Sequence, residues 1–447
     1  MGLVSHNRPK QASAVTFVLL MLAMSFSASM QAWQFLDDAQ TPQRSGSTTY
    51  SSATLVQGFF GTVPTNVSNS QSGGTYEFDA ASSGLSFAED GFNRSTDAVG
   101  IGGYHMCAIL QGGLYCTGDN AQGQLGIGTT DDQDQFVKVD LGAGRTAVSV
   151  SAGRLHTCAV LDDDSLKCWG YNIHGQLGLG SYTQQTTPQS VSLGTGRTAV
   201  SVSAGYDYTC AVLNDGSLKC WGANNYGQLG LGSTTGYFTP QSVFLGTGRT
   251  AVSVSAGVQH TCAVLDDGSL KCWGMNNYGQ LGISGHHTTP QNVSLGTGRT
   301  AVSVSAGDYH TCAMLDNESL MCWGRNSEGQ LGRGSTTSQF VSLGTGRTAV
   351  SVSTGNQHTC AILDDGSLKC WGSNNEGQLG IGSTSNQNTP QSVSLGAGRT
   401  AVSVSAGNKH TCAVLDDGSL KCWGPVTQAS WATVRGTMRP HQPRFQA

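Results

Sequence analysis

The chain has 447 residues, with 62 Gly and 14 Cys, and only 11% of its residues are charged. Gly is nearly double and charge less than half of ordinary globular usage, which excludes a coiled coil or a charged disordered chain, and the absence of a Gly-every-third pattern excludes collagen. A formal net charge of −5, from 23 basic and 28 acidic residues, offers nothing to attract a phosphate backbone, so no nucleic-acid partner is expected.

The first segment, residues 1–32, reads as a secretory signal. Arg8 and Lys10 form a basic start, Val15 to Met24 is apolar apart from one Thr, and Ser27, Ala28, Ser29 and Ala32 supply small residues for cleavage. The apolar run is short for a bilayer span of ~20 residues, although an uncleaved anchor is the competing reading. Removal takes away two positive charges and no acid. A secreted or cell-surface location is expected, with no membrane contact beyond the signal. Residues 33–83 form a Ser/Thr/Gly-rich leader with no clear element.

Fourteen cysteines in an oxidising compartment are counted in pairs. Along the chain these are Cys107 with Cys116, Cys158 with Cys168, Cys210 with Cys220, Cys262 with Cys272, Cys312 with Cys322, Cys360 with Cys370 and Cys412 with Cys422, and none is left over. The first Cys of each pair recurs at intervals of 51, 52, 52, 50, 48 and 52 residues, which marks an internal repeat and overrides the three domains that length alone would suggest. Each unit holds four short runs of the kind AVSVSAG, HTCAVL, SLKCWG and PQSVSL, divided by Gly, Asp, Asn and Pro. Four strands per unit, seven times over, predict an all-β, seven-bladed β-propeller of four antiparallel strands per blade. In the hairpin pattern CAVLDDGSLKC, which reads CAVLDDDSLKC at residues 158–168, a three-residue turn sets Leu161 opposite Ser165 and Cys158 opposite Cys168 in a close, non-hydrogen-bonded pair, and Gly suits its third position where it occurs. CAILQGGLYC is one residue shorter, and a two-residue turn at Gln111–Gly112 keeps Cys107 opposite Cys116. One disulfide inside each blade follows. The competing reading is a metal site, because His and Cys two apart in HTC face the same way. No unit offers Cys-x-x-Cys spacing, and no metal or other cofactor is expected.

With these residues in view, AGxxHTCAVLDDGSLKCWGxNxxGQLG resembles the regulator of chromosome condensation repeat, over roughly residues 98–424. The resemblance implies a seven-bladed propeller and, from the family's eukaryotic namesake, nucleotide exchange on a small GTPase. Three copies depart from the pattern. Blade one has Thr117 where six others have Trp169, Trp221, Trp273, Trp323, Trp371 and Trp423. Blade three has Tyr208 in place of the repeated His, and blade seven ends at Trp423-Gly424-Pro425 without a GQLG loop. The propeller is expected over 84–435, with Gly84 to Ala88 as the strand that completes blade seven, Gln428 to Val434 as the rival, and a tail at 436–447.

Tracing the strands puts the Asp-Asp-Gly and GTGRT turns on one face and the AGxxH and NxxGQLG loops on the other. Arg145, Arg197, Arg249, Arg299, Arg347 and Arg399 ring the first face and are expected to pair with turn Asp residues rather than to bind an anion. The second face varies from copy to copy, as a recognition surface on a repeat scaffold does. Candidate contact residues there are Tyr104, Arg154, Tyr206, Asp207, Tyr226, Tyr278, Tyr309, Glu328 and Glu376, with Tyr as the expected anchor type. Neutral drift on an unused face is the competing reading. The repeated His105, His156, His260, His310, His358 and His410, like the Gln of GQLG, are expected to serve packing. Asp131, Asp132 and Asp134 lack the Gly and distal Glu of a calcium loop. No G-x-S-x-G, H-E-x-x-H or G-x-x-x-x-G-K-[ST] occurs, and no catalytic residue is assigned. The expectation is a monomeric, non-enzymatic propeller that binds a protein or surface glycan. Nucleotide exchange is the alternative, disfavoured by the signal and the disulfides, and a propeller lyase or glycosidase comes third.

Overall fold

The computed structural model describes residues 67–69, 75–78, 98–110, 112–333 and 339–425. These form 29 strands in seven antiparallel sheets. Blade three shows the plan. Ala199–Ala204, Tyr208–Leu213, Leu218–Gly222 and Tyr237–Val243 lie side by side in chain order, from the inner to the outer edge. The second strand is buried at all six positions, because a neighbouring blade covers each of its faces. The outer strand carries Pro240, which an edge tolerates because no ladder partner needs its missing N–H.

The hairpin register is the one the cysteine spacing requires. All seven expected pairs are directly opposed across their hairpins. Cys107 is bonded to Cys116, Cys158 to Cys168, Cys210 to Cys220 and Cys262 to Cys272. The remaining blades bond Cys312 to Cys322, Cys360 to Cys370 and Cys412 to Cys422. Each pair has the same Cα–Cα separation of 4.1 Å, so the one-residue deletion in blade one leaves the bond geometry untouched. Leu161 N–H donates to Ser165 O at 2.9 Å, so the Asp-Asp-Asp turn of blade two closes as expected. Its third position is left-handed, with φ +60° at Asp164 and +64° at Glu318, where four other blades use Gly. In blade one Leu110 pairs with Gly113, so the missing residue falls in the turn.

Blades pack through a repeated contact. The disulfide Cys158–Cys168 shares one apolar cluster with Trp221 of the next blade, and Cys210–Cys220 does the same with Trp273. The pair Cys262 and Cys272 meets Trp323, and Cys312 and Cys322 meet Trp371. Cys360 and Cys370 meet Trp423 in the same way. A buried indole removes ~200 Å² from water, of the order of 5 kcal/mol at ~25 cal/mol per Å². The tryptophan is therefore a major inter-blade contact.

The last blade departs from expectation. Thr75–Phe78 pairs antiparallel with Leu420–Trp423, and Val67–Asn69 adds a fifth strand outside it. The chain does close the ring from its N-terminal side, but with residues assigned to the leader. Gly84 to Ala88 and Gln428 to Val434 lie outside the described residues. Edge pairing uses main-chain groups, so this strand need not carry the PQSVSL pattern of the other outer strands.

Candidate functional site

The loop face rests on a repeated set of buried polar groups. His156 Nε2 lies 2.9 Å from Thr209 Oγ1 in the next blade, and Thr209 in turn donates to Gln176 O at 2.8 Å. Trp221 Nε1 donates to the same carbonyl at 2.9 Å. The threonine has one proton, and it goes to the carbonyl, so the imidazole is the donor to the hydroxyl and carries its proton on Nε2. His105, His260, His310 and His358 repeat the link to Thr157, Thr311, Thr359 and Thr411. Burial pushes these five imidazoles down to about 3 and His410 to about 4. In blade three Tyr208 takes the same place, donating to His260 O at 2.6 Å with its hydroxyl 2.9 Å from Thr261 Oγ1. The buried histidines are structural, as expected, and five of them tie one blade to the next.

The repeated Gln has a second task. Its Oε1 accepts the backbone N–H two residues earlier: His174, Tyr226, Tyr278, Glu328 and Glu376 are held this way at 2.9–3.0 Å. A constant side chain thus fixes the main chain of a residue that changes from blade to blade. The buried Asn172, the Asn of NxxGQLG, holds the same loop by accepting from Leu177 N and donating to Ser181 O and Thr183 O.

The nine candidate contact residues share this face but do not form one cluster. Tyr104, Arg154, Tyr206 and Tyr309 line a central mouth of about 520 Å³, together with Asp308 and Gln259. The Arg154 guanidinium lies 4.5 Å from the Tyr206 ring centroid. Tyr278 stands outside the mouth and packs on Tyr309 of the next blade at 5.2 Å, with Arg325 over both rings at 5.5 and 6.0 Å. Tyr226 stacks on His286 at 6.3 Å. Glu376 pairs with Lys409 at 2.9 Å, and Glu328 accepts from Asn386 at 2.7 Å, so both acids are already engaged. Asp207 accepts from Gln176 Nε2 at 3.5 Å, and burial raises its carboxyl. Burial also pushes Asp308 up to about 7, against the pull of Arg325. Arg325 and Asp308 were not among the candidates. The signal for Arg325 was the variable position after Trp-Gly, which reads Tyr171, Ala223, Met275, Arg325 and Ser373 in successive blades.

On the opposite face each arginine pairs with its hairpin turn, as Arg145 does with Asp163 at 2.9 Å and Arg399 with Asp417 at 2.8 Å. Asp132 accepts from Asn120 N at 2.8 Å, which gives the blade-one acidic loop a structural role.

Residues 69–345 match the RCC1-like domain. The chain belongs to that family. Residues 365–414 and 349–378 match the regulator of chromosome condensation (RCC1) repeat itself. The RCC1-like chain is similar to the ultraviolet-B receptor UVR8 of Arabidopsis thaliana, 34% identical over 186 residues, 41% of this chain and 42% of the receptor. It is 30% identical over 187 residues to the human E3 ubiquitin-protein ligase HERC2, 41% of this chain and 4% of the ligase. The chain thus spans less than half the length of the curated relatives it matches. Among solved structures, human WBSCR16 aligns with a TM-score of 0.64 at 20% identity, over 74% of this chain and 88% of that one. Prp20p of Saccharomyces cerevisiae, described with its binding to Gsp1p and histones, aligns with a TM-score of 0.62 at 20% identity, over 73% and 81%. At that identity the likeness concerns the fold.

Proposed function

We propose that this RCC1-like propeller is a secreted, non-enzymatic binding protein that engages a protein partner through the AGxxH and NxxGQLG loop face. One observation carries the reading. The buried His–Thr–Gln–Trp set repeats from blade to blade, while the side chains it presents around a single mouth change at nearly every step. Exposed Tyr104 and Tyr278, with half-buried Tyr206 and Tyr309, supply rigid aromatic area of the kind that anchors protein interfaces. The binding of Gsp1p and histones described for Prp20p makes a protein the favoured class of partner. Seven cysteine pairs at bonding distance support an oxidising compartment. The same pairs speak against nucleotide exchange inside a reducing cell.

The test is capture from extracellular fluid by the immobilised, oxidised propeller. Tyr226→Ala/Tyr278→Ala and Tyr206→Ala/Tyr309→Ala should each abolish capture and leave the melting temperature nearly unchanged, whereas Arg347→Ala on the far face should capture normally. Undiminished capture by both tyrosine pairs refutes the assignment of the face. Capture of free glycan with no protein refutes the partner class.

A further inference from the structure

The far face carries two local departures from the repeat, and each creates the same chemical motif. In five blades the acid at the second position of the hairpin turn pairs with the arginine of the preceding turn: Asp163, Asp215, Asp267, Asp365 and Asp417, at 2.6–3.1 Å. Blade five reads Asp316-Asn317-Glu318-Ser319 instead, and among the described residues Arg299 pairs with Asp316 alone, at 3.3 Å. Asn317 is exposed, and its Oδ1 accepts from Ser319 N at 3.3 Å and Ser319 Oγ at 2.6 Å. Its Nδ2 donates to nothing among the described residues. Blade four replaces the first Ser of PQSVSL with Asn292, an exposed residue that ends the outer strand His287–Asn292 and precedes Val293 and the exposed Ser294. Asn-Val-Ser and Asn-Glu-Ser are both Asn-x-Ser triplets without Pro; the sequence holds two more, at Asn66 and Asn93, and both of those asparagines lie outside the described residues.

We propose that Asn292 and Asn317 are N-glycosylation sites, an inference that rests on the secretory half of the functional reading. The Asn Nδ2 attacks C1 of a lipid-linked glycosyl pyrophosphate. The N–C1 bond forms, the C1–O bond to phosphate breaks, the pyrophosphate leaves, and the amide proton passes to a base of the host transferase. Both side chains stand in solvent at the turn end of the blades, so a bulky sugar displaces no packing. The six-residue strand His310–Leu315 separates Asn317 from Tyr309, which sets the sugar ~17 Å along the blade from the loop face at ~3.4 Å per residue. Sugar on the turn face leaves the loop face bare for a partner.

The full chain, with its own N-terminal segment, is expressed in a eukaryotic secretory host and collected from the medium. Release of glycan by peptide N-glycosidase in heavy-oxygen water converts each modified Asn to labelled Asp, which peptide mass spectrometry places at single residues. Label is expected at both positions. Asn292→Gln removes one glycan and Asn317→Asp the other, and Asn317→Asp restores the acid of the other blades, so folding is preserved. A secreted, fully oxidised chain with no label at Asn292 and Asn317 overturns the sites and leaves the secretory reading standing. Label at one position only overturns the other. A chain retained in the cytosol with free thiols overturns the secretory reading and both sites with it.

Discussion

Lowering the pH from 7 to 5 should bring this protein close to unfolding, because six imidazoles are buried in neutral form. In the unfolded chain each histidine titrates near 6.5, so at pH 5 it holds nearly a full proton. In the folded chain burial holds five at about 3 and His410 at about 4, so almost none is bound. The unfolded state binds more protons, and stability therefore rises with pH across this window: it is complete above about 6.5 and lost progressively below. Each histidine costs about 2 kcal/mol between pH 7 and 5, a figure that depends on the unfolded value alone while the folded one lies well below 5. Asp308, pushed up to about 7, works the other way and returns about 2 kcal/mol. The net loss is of the order of 9 kcal/mol, comparable to the whole stability of an ordinary domain. Urea unfolding at pH 7, 6 and 5, combined with calorimetry in buffers of different ionisation enthalpy, should show uptake of about four to five protons per molecule at pH 5. Tyr208→His, which restores the repeat residue, should add about one more. Uptake below two protons, or a stability that is flat between pH 7 and 5, would refute the buried neutral histidines.

Three further outcomes follow from the packing. Replacing one disulfide, Cys210→Ala/Cys220→Ala, closes no ~11-residue loop in the unfolded chain and should cost about 2–3 kcal/mol in urea unfolding, with the other blades intact. Glu318→Gly relieves a left-handed residue at φ +64° and should stabilise by about 0.5–1 kcal/mol, measured as a rise in melting temperature. Gly178→Ala places a Cβ 2.7 Å from Trp221 Nε1 at a φ of +74°, and should destabilise by about 2–3 kcal/mol and weaken near-ultraviolet indole dichroism.

Blade count, hairpin register and all seven disulfides were legible because they depend on local rules. A period of two fixes which residues oppose one another, and Cys158 and Cys168 are only ten residues apart. The closing strand was not legible. Thr75–Phe78 joins Leu420–Trp423 through main-chain groups more than three hundred residues away, so no side-chain pattern announces it. Variation between copies points to the loop face as the candidate surface, but the internal arrangement of that face was not legible. Tyr278 meets Tyr309, and Arg154 meets Tyr206, only because neighbouring blades set adjacent loops side by side. The same limit hid the partner of the repeated histidine. His156 and Thr209 are 53 residues apart, although His and Thr stand together in nearly every HTC triplet.

The irregular residues of blade one and the short end of blade seven are one feature rather than two. At an ordinary joint the Gln carbonyl of one blade accepts from the Thr and the Trp of the next, as Gln124 O does from Thr157 at 2.8 Å and Trp169 at 3.0 Å. The sequence after Trp423 contains no GQLG, so at the last joint no GQLG glutamine offers that carbonyl. A threonine and a tryptophan at positions 106 and 117 would then be buried donors without that acceptor, a cost of about 1–3 kcal/mol each. The chain has Met106 and Thr117 there. Met106 Sδ lies 3.3 Å from Cys412 Sγ and 3.9 Å from Cys422 Sγ, contacts of soft atoms that need no proton, since bonded cysteines have none to give. Thr117 turns its hydroxyl to Gln133 O in its own blade, at 2.9 Å. Val99, Ile101, Met106, Ala108 and Leu110 of blade one cluster with Cys412 and Cys422, where an indole packs at the other joints. The ring therefore closes on an apolar, sulfur-rich joint, and loss of the GQLG loop in blade seven accounts for both departures in blade one.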